Sequence, residues 1–310
     1  MGHVGSHPQI TEYDVNGQFF GWGVQPSAML SDIKRRLRYG KEHQVTGFLA
    51  RTDWEGVQDW TCFDNLNMVN LYAIAAYAEN ENTSEEEIYL RWLQGEHMLD
   101  ERLSPGQLKT CVQTVKEIMD ETWPIVEKTN FVNGCLFSND SCMHLTPEQF
   151  TFIGGTHHSL SEWDPEKKDA LEMSVENIAR IIEDKEEAHV KCEKLVDRVV
   201  AGNMGLTEDA YEKMKEHFEF MRWYVRGFRL TARGYCFGRY VTEKNAADML
   251  VEGKTANVLL EETIHEMEKY REGLLQTTFI KKYPFDAQLN PERVAFYTNS
   301  LKRMLAQGKK

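Results

Sequence analysis

No apolar run in this chain approaches the roughly 20 residues that a bilayer-spanning helix requires, so none is expected. The opening residues, Met1 to His7, hold neither the basic start nor the apolar stretch of a secretory leader, and no signal peptide is expected. Cysteine is sparse and unpatterned. The six cysteines (62, 111, 135, 142, 192 and 236) show no C-x-x-C spacing, and a secreted disulfide framework would be denser and sit in a smaller domain. They read as free, mostly buried thiols, which suits a reducing, cytoplasmic compartment. Basic charge is also short: 36 Lys and Arg face 49 Asp and Glu, for a formal net charge of −13. Such a surface repels a polyphosphate backbone, so no nucleic-acid partner is expected. The one tight basic cluster, Arg35-Arg36-Leu37-Arg38, falls on an expected helix and reads as a solvated face.

Familiar catalytic fingerprints are missing as well. There is no G-x-S-x-G elbow and no G-x-G-x-x-G loop. Gly154-Gly155-Thr156-His157-His158 lacks the spacing and lysine of a phosphate loop, and adjacent histidines rarely converge on one ion. His265-Glu266-Met267-Glu268-Lys269 ends in lysine where a zinc-protease helix needs a second histidine. His189 falls on the buried side of an expected helix beside Cys192 and reads as a satisfied core histidine. No metal or organic cofactor is expected.

What is present is an ordinary globular composition, 41% hydrophobic and 27% charged, in a chain of 310 residues, enough for one or two domains. The pattern changes near residue 63. Residues 9–14 form a short strand-like run closed by Val15-Asn16-Gly17. Pro26-Ser27 then opens a helix, with Ser27 as N-cap, that ends near Tyr39 or Gly40. Residues 44–50 (QVTGFLA) are a continuous apolar run, the mark of a strand buried on both faces. Strand, helix and buried strand make a βαβ unit.

Beyond 63 the chain reads as helical, with expected helices over 65–79, 84–96, 106–128, 165–201, 208–232, 244–273 and 291–307. Thr83 with Glu86 suggests a capping box. Ser104-Pro105, Thr146-Pro147, Asp164-Pro165 and Asn290-Pro291 each set a capping side chain before a first-turn proline. Thr207-Glu208-Asp209 opens a further helix. The expected fold class is mainly α, with a short β/α segment (1–62) ahead of a large helical region (63–310).

Glu12 and Asp14 are two apart on the first strand and so share a face. In β/α barrels, active-site groups sit at the C-terminal ends of strands, where this pair lies. The second strand runs likewise into Arg51-Thr52-Asp53-Trp54-Glu55, then Asp59-Trp60. Carboxylates, an arginine and indole rings suit a sugar site: the acids move protons at the anomeric carbon and the indoles stack on pyranose faces. Surface carboxylates at loop starts are the plain alternative.

At these residues the chain resembles a known family. Gln9-Ile10-Thr11-Glu12-Tyr13-Asp14-Val15-Asn16-Gly17-Gln18 is similar to the strand of family 67 α-glucuronidases that reads roughly Q-I-x-Q-E-Y-T-G-Q. In that family the glutamate is one of two carboxylates that activate water in an inverting hydrolysis, and the resemblance carries this role to Glu12. Gly47 to Trp54 and Asn70-Leu71-Tyr72-Ala73 resemble the last barrel strand and the helix after it. Residues 85–92, 112–119 and 132–134 follow in the family's order. Thr11 stands where the family has glutamine, and Asp14-Val15-Asn16 lengthens the turn. The resemblance implies a relative that shares the barrel and the helical tail.

It also implies that the remaining barrel strands and the general acid belong to sequence upstream, so the chain is expected to be the C-terminal part of a longer enzyme acting on an oligosaccharide. In that reading Glu12 and Asp14 are catalytic, with Asp14 tuning Glu12, and Arg51, Asp53, Trp54 and Trp60 bind substrate. The alternative is a non-catalytic interaction module whose helical region forms a homodimer. A helical nucleic-acid-associated protein is disfavoured by the charge.

Overall fold

The structure is a computed structural model that describes residues 7–53, 61–132, 135–136, 141, 146–147, 172–277, 281 and 289–308. It is mainly helical. In order come β1 (Ile10–Asp14), α1 (Leu30–Glu42), β2 (Gly47–Arg51), a 3-10 turn (Cys62–Asp64), α2 (Met68–Glu79), α3 (Glu85–Gly95), α4 (Pro105–Asp120) and α5 (Thr122–Asn130). The short strands β3 (Phe131–Val132) and β4 (Cys135–Leu136) follow, then α6 (Val175–Val200), α7 (Glu208–Glu243), α8 (Ala256–Gln276) and α9 (Pro291–Gly308).

β1 and β2 pair in parallel, from Ile10 opposite Gly47 to Asp14 opposite Arg51. The two-residue period of a strand puts Ile10, Glu12, Asp14, Leu49 and Arg51 on one face. Tyr13 and Phe48 share the other, their rings edge to face at 6.2 Å. Tyr13 is buried beneath α1, and a Cβ on Gly40 of that helix would lie 3.7 Å from its hydroxyl. The opposite face is open, leaving Ile10 64% and Leu49 60% exposed. This corrects the expectation of a strand over 44–50 buried on both faces. Gln44 has φ +59°, the Val45 N–H is taken by the Gly40 carbonyl, and only Gly47–Arg51 is strand.

Other boundaries differ for local reasons. Helix α1 begins at Leu30 rather than after Ser27: the Ser27 hydroxyl accepts no first-turn N–H, and the Ser27, Ala28 and Met29 N–H groups are held by Asn67, Thr122 and Asn70. Ser84, not Thr83, caps α3 and accepts from the Glu87 N–H. The helix expected over 106–128 is two helices. Pro124 has no N–H for the carbonyl of Asp120, so the chain restarts at Thr122, whose hydroxyl donates to Met119 O. Helix α7 runs on to Glu243 because its glycines are packing positions: a Cβ on Gly234 would lie 2.7 Å from Leu301 of α9. Residues 244–255 form turns, and α8 starts only at Ala256, capped by Thr255. Described helix α6 starts at Val175; Asp164-Pro165 lies outside the described residues. The expected caps at Ser104, Thr207 and Asn290 are present.

By contacts the chain forms two compact units, Met1–Pro124 with Lys194–Met221, and Ile125–Glu193 with Arg222–Lys310. The change of pattern near residue 63 lies inside the first. That unit packs α1 on α2, α2 on α3 and α3 on α4. The second packs α8 on α9, with buried Tyr224, Phe228, Tyr235 and Phe237 of α7 in its core. Cys62, Cys111, Cys192 and Cys236 are buried and outside any disulfide. Arg35, Arg36 and Arg38 are largely exposed and paired with Asp32 and Glu81.

Candidate functional site

The loop after β1 decides what Asp14 does. Its Oδ1 accepts the N–H groups of Asn16 and Gly17 at 3.0 and 2.9 Å, and its Oδ2 accepts that of Gln18 at 2.9 Å. These bonds need the chain to reverse sharply, and Gly17 turns it with φ +75°, a conformation open to glycine. Burial pushes the Asp14 carboxyl up to about 6, against the opposing pull of the three N–H groups and of Arg51. Both Asp14 oxygens are thus engaged in shaping the turn.

Behind the turn stands a network of asparagines. Asn67 is fully buried; its amide donates to the carbonyls of Asn16 (2.7 Å), Gly23 (3.1 Å) and Gln25 (3.0 Å), and its oxygen accepts the Ser27 N–H (2.8 Å). Asn70 donates to Val15 O and Ser27 O and accepts the Met29 N–H. Asn65 donates to Asn16 Oδ1 and Thr61 O. His217 sets its Nδ1 2.7 Å from Val24 O. A loop buried among apolar helices must satisfy its backbone somewhere, and here side chains replace a ladder. None of these four residues was singled out as a site element from the sequence. The signal available was the density of asparagine at 65, 67 and 70.

On the open face, Glu12 is largely exposed and lies 3.4 Å from Arg51 Nη1. Arg51 ends β2, whereas Glu12 is the middle residue of β1, opposite Leu49 and two residues before the strand's C-terminal end. Asp53 follows, exposed. Trp54 and Trp60 lie outside the described residues. Phe63, 54% exposed on the 3-10 turn, is an aromatic that the sequence reading passed over. Its turn is pinned at the end of β2 by the Cys62 N–H, which donates to Thr52 O at 2.7 Å. Cys62 itself is buried, and burial with nearby Asp14 pushes its thiol up to about 12, so it is no nucleophile. An exposed carboxylate beside a guanidinium can take a proton from water or a hydroxyl while the arginine orients the donor.

His157 and His158 lie outside the described residues. His189 departs from the satisfied core histidine that was expected: it is half-buried, and its Nδ1 is enclosed without a hydrogen-bond partner. Glu266 accepts from Arg229. Among the described residues no group of three or more His, Cys, Asp or Glu can hold a metal, and no helix is long and apolar enough to cross a membrane.

Neither models of known protein families nor curated proteins give a match to this chain.

Proposed function

We propose that β1, α1 and β2 are the end of a β/α barrel of glycoside hydrolase type, similar to family 67, and that Glu12 serves as part of its base machinery. One observation carries this reading. Glu12, Asp14 and Arg51 lie on one face of the sheet, Asp14 and Arg51 at the C-terminal strand ends and Glu12 two residues before, while α1 covers the opposite face, which is the arrangement of a barrel strand with its helix outside. Parallel sheets are normally covered on both faces, so the exposure of Ile10 and Leu49 further supports a larger sheet. In this reading Glu12 orients or deprotonates the attacking water, Arg51 and Asp53 bind sugar hydroxyls or a carboxylate, and Trp54 and Trp60 form a stacking platform. Asp14 holds the turn on which Glu12 depends. The reaction is hydrolysis of an oligosaccharide.

The test is Glu12→Gln, assayed on a panel of oligosaccharides with substrate binding measured in parallel. The expected result is a loss of turnover of about 100-fold or more with binding retained. Near-normal turnover on every substrate removes Glu12 from the role.

A second reading, a helical interaction module that forms a homodimer, draws support from the exposed Val258, Leu275 and Phe296 of α8 and α9. A stable dimer without hydrolysis or carbohydrate binding favours it.

A further inference from the structure

Helix α7 carries four arginines, Arg222, Arg226, Arg229 and Arg233, at i, i+4, i+7 and i+11, so they form one stripe along the helix. The stripe faces α6 and α8 within the second compact unit. Arg222 reaches Glu193 at 3.1 Å. Arg229 bridges Glu186 at 2.7 Å and Glu266 at 2.9 Å, and Arg233 shares Glu186 at 2.8 Å. Three arginines are therefore neutralised by three carboxylates.

Arg226 is different. Its guanidinium lies over the rings of Trp223 and Tyr270, 5.8 and 5.7 Å from their centroids, and among the described residues it has no carboxylate within 4.0 Å. A cation–π contact with two rings steadies a guanidinium and leaves its N–H groups available for a planar or tetrahedral anion. The rings are themselves fixed, since the Tyr270 hydroxyl donates to Trp223 O at 2.9 Å and a Cβ on Gly273 would lie 2.8 Å from the Trp223 ring. Within electrostatic reach is His189, whose enclosed Nδ1 has no hydrogen bond and is 3.8 Å from Glu193.

We propose that this stretch of α7 is a binding site for a small oxyanion, of carboxylate or phosphate class, with Arg226 as its principal donor. The partly exposed position of Arg226 admits a ligand from solvent, and the half-buried setting strengthens the ion pair that forms. The site is independent of the carbohydrate reading and lies in the other compact unit.

Isothermal titration of the 310-residue protein with inorganic phosphate, and separately with citrate, at low ionic strength tests this. Saturable one-to-one binding of either anion is expected, and the anion preferred assigns the class. Arg226→Gln is expected to weaken it by about tenfold or more, the loss of one charge-assisted pair, and Arg226→Lys by less. A second readout is the imidazole of His189. Burial and Arg229 hold it below the ordinary histidine value, and a bound anion raises it in the wild type but not in Arg226→Gln. Absence of saturable binding of both anions overturns the proposal. So does equal affinity in wild type and Arg226→Gln, or an effect that sodium chloride at matched ionic strength reproduces.

Discussion

Replacing Asn67 by alanine removes the centre of the network that holds the loop after β1. The amide nitrogen has two hydrogens for three carbonyls, those of Asn16, Gly23 and Gln25, and the amide oxygen takes the Ser27 N–H. The loss is thus equivalent to three full hydrogen bonds, all from a side chain with no solvent exposure. At about 1–1.5 kcal/mol each, the cost is about 3–5 kcal/mol, with backbone groups left buried and unsatisfied. That is a large part of the roughly 5–15 kcal/mol by which a folded domain exceeds its unfolded chain. Urea unfolding of wild type and Asn67→Ala measures it, and hydrogen exchange at the Ser27 amide localises it. Asn67→Asp sharpens the test. It keeps an acceptor for Ser27 but turns a carboxylate oxygen toward three carbonyls, so it is expected to be at least as damaging as alanine. A loss under about 1 kcal/mol for Asn67→Ala, or wild-type stability for Asn67→Asp, refutes the reasoning.

Two further expectations concern pH. The Asp14 carboxyl, raised to about 6 by burial, binds its proton more tightly folded than unfolded, so its contribution to stability is greatest below about pH 4 and declines as pH rises through 6. Asp14→Asn flattens that window, and an NMR titration midpoint near 4 for Asp14 contradicts the argument. Lys185 is fully buried, donates to the carbonyls of Lys128 and Phe131 at 2.6 and 2.5 Å, and is pushed down to about 7 by burial. The unfolded lysine binds its proton more tightly, so unfolding free energy should climb between pH 7 and the ordinary lysine value of about 10.4. Lys185→Met should remove that rise, and identical pH profiles for the two proteins would defeat it.

The asparagine network bears on the candidate site as well as on stability. Glu12 is placed by β1, and β1 is joined to the helices through the turn that Asp14, Asn67 and Asn70 hold. A loop fixed from behind in this way keeps a strand end in position. Asp14 is in that sense a positioning residue, with its two oxygens engaged by backbone N–H groups and Glu12 free to face solvent.

The helical character, the strand at Glu12, the parallel βαβ order and several helix starts were legible in the sequence by itself. They depend on interactions between residues close in the chain: the two-residue and 3.6-residue periods, and the hydrogen bonds of Ser104, Thr207 and Asn290 to N–H groups two or three residues on. Misreadings came where a local signal met a distant partner. Ser27 has the chemistry of a cap, yet its N–H is held by Asn67, 40 residues away, and α1 starts later. The apolar run at 44–50 read as buried on both faces because composition cannot say whether a second layer covers a strand, and here one face is open. Asn70 reaches Val15 across 55 residues, and Arg229 joins Glu186 to Glu266 from two other helices. Residue spacing put four arginines on one side of α7. Only the tertiary structure decided that three of them meet carboxylates and that Arg226 meets aromatic rings, because the charge opposite a side chain is set by the packing of helices distant in sequence.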